Sequence, residues 1–238
     1  MTNIPINKLV DERNQNLWKN IKQHYKITIV YSETDEYGNF PINNKSTIYV
    51  AKNDLNPDSF THELLHIYMR LHKIYIGGGI TNIISSSNIM SIIFSENLLD
   101  HFGNSLDHIK MLPIYLAMGF NKEKFLHDYY EQKCTNEDIS LMKKNYKIGK
   151  IYNSQAIDYY IGKYLAIMAD PNDSFNYLPY LQKLKKIDSN LYLVLDKLIK
   201  DWNDFQIDEE DSALNDYHSI LFDFYDGLKK WITNKRIE

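Results

Sequence analysis

The chain has 238 residues, of which 44% are hydrophobic and 24% charged, and its formal net charge is −4. This composition is typical of a globular protein with a substantial core, and the charge excludes an electrostatic basis for nucleic acid as a main partner. No apolar run is long enough to span a membrane, and residues 1–16 lack the apolar core of a secretory signal. The single cysteine, Cys134, excludes an intramolecular disulfide. We therefore expect a cytoplasmic protein.

The N-terminal part of the chain predicts a helix followed by two strands. Apolar residues recur at helical spacing over residues 5–24. Residues 26–33 and 46–52 are rich in β-branched side chains and predict strands, and the turn-forming residues 35–44 lie between them. The two strands could therefore form a hairpin with a long loop.

The remainder of the chain predicts helices. From residue 88 onward only helical patterns occur, and the carboxylates at 208–210 predict a solvated loop. We expect a mostly helical α+β fold. A mild shift in composition divides it into a core of residues 1–133 and a helical extension of residues 134–238, which could also be one continuous domain.

One short segment carries a chemical pattern, SFTHELLHIYMRLHKIYIGGG. It predicts a helix that begins with Asp58 or Ser59 as N-cap and has ended at the glycines 77–79. Within this helix His62, Glu63 and His66 have the order HExxH.

The HExxH order suits zinc chemistry because residues at i and i+4 lie on one helix face, one turn apart. His62 and His66 can bind one Zn²⁺, and Glu63 can accept a proton from a water whose pKa the metal lowers to about 7. In a chain of this composition the pattern is expected by chance only about 0.01 times. We interpret it as a zinc site with Glu63 as general base; the alternative is a polar helix stripe without metal.

The helix, the two strands and the HExxH helix together resemble the compact core of the zincins. This resemblance extends over residues 5–120 and includes small intracellular gluzincin-like proteins related to the peptidases that cleave antirepressors of mobile elements. It implies a cytoplasmic bacterial zinc metallopeptidase acting on a protein or peptide. Such a substrate could extend along the strand 46–52 by β-addition.

A catalytic zinc needs a third protein ligand and one open position. His72 follows His66 at the spacing found in metzincins. However, Met69 stands where those enzymes have the glycine that turns the chain. In a continuous helix His72 lies about 240° around from His66, so we do not expect it to share the metal.

Two registers of a returning helix give the other candidates. If that helix begins near Asn88, Glu96 faces His66, and Glu96 with Asp100 resembles the ExxxD pattern of gluzincins, in which the glutamate binds zinc. If instead the helix begins with Ser95 as N-cap, His108 faces the metal.

We assign His108 as the third ligand and keep Glu96 as the alternative. The segment NSLDHIKMLPIYLAMGF, which contains His108, resembles a block of small bacterial HExxH proteins. Asn104 would lie on the same helix face. His101, seven residues before His108, could be a ligand or a hydrogen-bonding partner of one.

Two other functions stay open. The first is a regulatory or interaction module that binds zinc but cleaves nothing, and a closed four-ligand sphere would favour it. The second is a metal-free helical protein.

Overall fold

The computed structural model describes residues 4–207 and 217–238. It is a mostly helical α+β fold, as predicted. In chain order its α-helices are Gln15–His24 (α1), Pro57–Leu71 (α2), Ile76–Ser85 (α3), Asn88–Ile93 (α4), Glu96–Ala117 (α5), Asn136–Asn145 (α6), Ser154–Ala169 (α7), Leu178–Ile187 (α8), Ser189–Asp204 (α9) and Tyr217–Ile232 (α10). Its strands are Lys26–Tyr31 (β1), Gly38–Ile42 (β2), Lys45–Val50 (β3), Lys147–Ile148 (β4), Ile151–Tyr152 (β5) and Arg236–Ile237 (β6).

The contacts within the chain form two compact units. They comprise residues 1–74 with 110–130, and residues 75–109 with 131–238. Helix α5 contributes residues to both units. Each unit therefore combines two separate ranges of the chain. The division into residues 1–133 and 134–238 stays a prediction about domain limits.

The first sheet has the strand order β1-β3-β2. β1 runs parallel to β3, whereas β2 runs antiparallel to β3 and joins it through residues 43–44. The predicted hairpin between strands 26–33 and 46–52 is therefore wrong, because alternation identifies strands but not the direction in which they pair. β3 has a partner along each edge, so the predicted β-addition of a peptide to strand 46–52 is wrong as well.

The inner face of this sheet packs against α2. Ile48 and Val50 of β3 are fully buried with Phe60, Leu64 and Ile67 of α2. The three helix residues recur at i, i+4 and i+7, which places them on one face. Burial of each such side chain contributes about 1.5–3 kcal/mol. This packing fixes the rotation of α2 about its axis, and with it the directions of the HExxH side chains.

The predicted helix over residues 5–24 is broken by the buried side chain of Asn14. A 3₁₀ turn at Ile6–Lys8 comes first, and α1 begins only at Gln15. The Asn14 oxygen accepts the N–H of Asp11, and its amide donates to the Leu9 carbonyl and the Thr61 hydroxyl, each at 2.9 Å. Asparagine competes with helical hydrogen bonds in this way. Here it ties the N-terminal segment to α2.

Helix α2 ends at Leu71, before the glycines that were predicted to mark its end. Lys73 has a φ of 60°. Its N–H donates to the Arg70 carbonyl at 2.9 Å, and the Ile74 N–H donates to the Met69 carbonyl at 3.0 Å. These two hydrogen bonds form a Schellman motif, which ends the helix. Lys73 takes the left-handed position that glycine usually occupies in this motif.

The glycines 77–79 lie inside α3, so the prediction that they terminate a helix is wrong. Gly77 lies where α3 crosses α5, and the glycine that this crossing requires is Gly103 of α5. A Cβ added to Gly103 would lie 2.8 Å from the Cα of Gly77, whereas a Cβ added to Gly77 would lie 3.6 Å from the Cα of Gly103, an ordinary contact distance. The two helix backbones therefore approach too closely for a side chain at position 103.

The second unit contains a small sheet as well as helices. Its order is β4-β5-β6, so the prediction of helices alone after residue 88 is wrong. Two-residue strands are too short to produce a detectable alternation. The predicted loop at 208–210 lies outside the described residues. In the described part of the chain, no helix is long and apolar enough to cross a membrane.

Candidate metal centre

Helix α2 begins one turn before the HExxH residues. Its N-cap is Asn56, so the prediction of Asp58 or Ser59 as N-cap is wrong. The Asn56 side chain accepts the Ser59 N–H at 2.7 Å, and a proline occupies the first helical position. The Tyr37 hydroxyl accepts the Asn56 N–H at 3.0 Å and donates to the Asp54 carbonyl at 2.8 Å. The start of the helix is thus fixed from the segment that leads into β2.

The two α2 histidines meet through their Nε2 atoms. His62 Nε2 and His66 Nε2 lie 3.2 Å apart, with ring centroids separated by 5.0 Å. Two nitrogens that each lie about 2.0–2.1 Å from one tetrahedral zinc ion are about 3.3 Å apart. The observed pair therefore fits a shared ion.

His108 of α5 completes a group of three imidazoles. One ring nitrogen from each of His62, His66 and His108 lies within 4.8 Å of the other two. Helix α5 begins next to Ser95, whose hydroxyl accepts the Leu98 N–H at 3.1 Å. The structure thus has the helix register in which His108, rather than Glu96, faces the α2 histidines.

The other candidate ligands lie elsewhere, and within the described residues the group holds only these three. Glu96 and Asp100 are exposed in the first turns of α5, and Asn104 is exposed too. His72 caps α2, and its ring contacts Tyr68 at a centroid distance of 4.4 Å. His101 Nε2 lies 3.1 Å from the carbonyl oxygen of Gly162 in α7.

Glu63 lies between the histidines in sequence and is only 7% exposed. Asn39 of β2 donates from its Nδ2 to Glu63 Oε2 at 2.6 Å. Burial raises the pKa of Glu63, and the charge of His66 and the Asn39 hydrogen bond partly offset this rise. A carboxylate whose pKa lies nearer to neutrality is a better proton acceptor at neutral pH.

Burial favours the neutral form of His62. Burial lowers the pKa of the His62 imidazole well below its usual value, and the neighbouring charges of His66 and His127 lower this pKa further. A backbone hydrogen bond with Phe125 raises the pKa, but less than burial lowers it. The Phe125 ring also covers His62 at a centroid distance of 4.9 Å. Since a metal binds the neutral imidazole, this environment suits a ligand.

The sequence did not reveal Asn39, Phe125 or His127 as parts of this site. Asn39 lies in the segment predicted as a turn. Phe125 and His127 follow the 3₁₀ turn Lys122–Lys124, whose N-cap is Asn121. Only the folded chain brings these residues to α2, and no local pattern in the sequence marks them.

Three imidazole nitrogens are the donor set of one type of catalytic zinc site, and imidazole also suits other transition metals. This set differs from the glutamate ligand of the gluzincin ExxxD pattern. Comparisons of the chain with protein-family models, with curated proteins and with solved structures found no match. These residues and their geometry are therefore the basis for assigning a function to the chain.

Proposed function

We propose that the chain is a zinc-dependent metallopeptidase with a zincin-like core. The observation that carries this proposal is the HExxH geometry: two Nε2 atoms 3.2 Å apart, a third imidazole within 4.8 Å, and a buried carboxylate on the same helix. We further propose a protein or peptide as substrate and the cytoplasm as location. The net charge of −4 supports the proposal that nucleic acid is not a main partner.

The proposed reaction assigns a separate task to each oxygen of Glu63. Zinc held by His62, His66 and His108 would supply Lewis acidity and a water activated for attack at neutral pH. Asn39 holds Oε2, which leaves Oε1 to accept the proton of the attacking water. When the peptide C–N bond breaks, Glu63 returns this proton to the leaving amine nitrogen.

We expect the protein, purified without added metal, to contain about one zinc ion per chain. Elemental analysis of the wild type measures this ratio. The matched control replaces both α2 histidines (His62→Ala with His66→Ala) and should contain no stoichiometric zinc. If the wild-type protein lacks zinc and binds none on titration at neutral pH, this result would contradict the proposal of a zinc metallopeptidase.

A second candidate function is a zinc-binding regulatory module that cleaves nothing. One observation favours it: the exposed His127 lies close enough to His62 to affect its pKa. A fourth imidazole on the ion would close the coordination sphere, as in structural zinc sites.

The number of nitrogen ligands distinguishes the two functions. We expect X-ray absorption of the zinc-loaded protein to give the same number in the wild type and in His127→Ala, because His127 does not belong to the group of three. The loss of one nitrogen in His127→Ala would favour the regulatory module.

A further inference from the structure

The segment that contains β4 and β5 is basic, although the chain as a whole is acidic. Residues 139–157 contain four lysines and no aspartate or glutamate, in a chain whose formal net charge is −4. All four side chains are exposed: Lys143, Lys144, Lys147 and Lys150. Positive charge is therefore concentrated in one place on the second unit.

These four lysines have no carboxylate partner within the described residues. By contrast, three lysines elsewhere in the same unit pair with aspartates at 3.1, 2.5 and 2.8 Å: Lys163, Lys197 and Lys229. The carboxylate of Glu238, which follows β6, accepts a hydrogen bond from Arg236 at 2.8 Å. The fold thus leaves the charge of the four lysines uncompensated.

Two ammonium groups lie around one aromatic ring in this region. Lys147 Nζ is 4.6 Å and Lys235 Nζ is 5.3 Å from the centroid of the Tyr152 ring. Lys147 Nζ also donates to the Tyr152 hydroxyl at 3.2 Å. Like charges at this separation repel each other. An anionic group bound beside Tyr152 would relieve the repulsion.

The tip of the β4–β5 hairpin adds an exposed apolar side chain. The two-residue turn Gly149–Lys150 joins the strands, and Gly149 has a φ of 62°. Ile148, directly before this turn, is 73% exposed, more than any other large apolar side chain in the described part of the chain. An apolar side chain between lysines suits a membrane interface, because the lysine stems extend along apolar surface while their ammonium groups stay in the polar layer.

The apolar tip favours an anionic bilayer over nucleic acid as the partner. Phosphates of either kind could bind the lysines. Nucleic acid contacts proteins largely through phosphate and sugar, which would leave Ile148 against a charged surface. The boundary of the acyl chains offers Ile148 an apolar contact.

We propose that the β4–β5 hairpin, together with the lysines at the end of α6, docks on the surface of an anionic phospholipid bilayer. Ile148 enters the interface, and the four lysines of residues 139–157 bind headgroup phosphates. Anionic lipids occur in cytoplasmic leaflets, so this surface agrees with the proposed location. The inference does not depend on the metal centre or on peptidase activity.

Cosedimentation of the full-length protein with lipid vesicles tests this proposal. One set of vesicles is an equal mixture of phosphatidylglycerol and phosphatidylcholine, and the other set is phosphatidylcholine alone. A lysine near an anionic surface contributes about fivefold in affinity, so four lysines should favour the anionic vesicles by about 100-fold or more. High salt should reduce this preference, because it screens the charges.

A pair of charge variants connects the binding to the hairpin. Lys147→Gln with Lys150→Gln should weaken binding to the anionic vesicles by about 25-fold. Lys19→Gln with Lys26→Gln removes the same charge from two exposed lysines of the first unit. This control should bind as the wild type does.

A second pair of variants tests the apolar tip without changing the charge. Ile148→Thr keeps a β-branched residue and should weaken binding to the anionic vesicles by about fivefold or more, because it removes apolar surface from the contact. Ile42→Thr makes the same change at a 57% exposed strand residue of the first unit and should have no effect.

Equal binding to the two sets of vesicles would overturn the proposal, and so would equal losses in the hairpin variants and their controls. A fluorescein-labelled DNA duplex is the competing probe. If the protein binds this duplex but not the anionic vesicles, and Lys147→Gln with Lys150→Gln abolishes that binding, the surface belongs to nucleic acid and the proposal is wrong.

Discussion

Replacement of Glu63 by glutamine is expected to abolish most hydrolysis while the protein remains folded and loaded with zinc. Glutamine keeps the size and polarity of the side chain and can still bond with Asn39, but it cannot accept a proton. General-base assistance contributes about 10²–10⁴-fold in rate, so a loss of this order is expected. Wild type and Glu63→Gln are incubated side by side in cell lysate, and new peptide termini are quantified by mass spectrometry.

A matched control makes the same chemical change at an exposed site. Glu96→Gln alters a carboxylate in the first turn of α5, outside the three-histidine group, and should give the termini of the wild type. Termini present with the wild type and Glu96→Gln, but missing with Glu63→Gln, would also identify the substrate. Identical termini from all three folded, zinc-loaded proteins would contradict a peptidase.

Replacement of His108 by alanine is expected to lower zinc affinity by about 100-fold or more. Loss of a residue that merely supports a ligand costs about 10–100-fold, so loss of a ligand should cost at least the upper value. The two α2 histidines would remain and could still bind zinc weakly. Competition with a chromophoric chelator measures the affinity, and circular dichroism verifies that the helices persist.

Two substitutions test the alternatives that the sequence allowed. His72→Ala alters the residue that caps α2, and Glu96→Ala removes the alternative acidic ligand. Each should leave zinc affinity close to the wild-type value. Strong loss of zinc in Glu96→Ala with retention in His108→Ala would show that α5 presents a different face to the metal than the structure describes.

The part of the site that depends on local geometry could be predicted from the sequence. The spacing of His62 and His66 fixes their common face as soon as the segment is helical, and packing of the apolar positions determines which face is buried. The choice between His108 and Glu96 depended on where α5 begins. Ser95 is a residue type favoured as N-cap, but Asn88, near the other possible start, is favoured too.

The strand that carries Asn39 could not be predicted in the same way. Gly38 and Pro41 are typical of turns, and the segment forms a strand because it lies at a sheet edge, where proline is tolerated. The parallel pairing of β1 with β3 is a long-range contact with no local signal. The hydrogen bond between Asn39 and Glu63 depends on both, so it was visible only in the folded chain.

The short connection between β2 and β3 has a consequence for chain entropy. A turn of residues 43–44 closes this hairpin, and Asn43 accepts the positive φ of 52° that the turn requires. By contrast, a contact of the α2 histidines with His108 closes a loop of residues 67–107, which loses more conformational entropy. The edge beside Glu63 is thus a local structure that forms at low entropic cost. A metal ion bound by all three histidines would act as a cross-link across the longer loop, and its binding free energy would add to the free energy of folding.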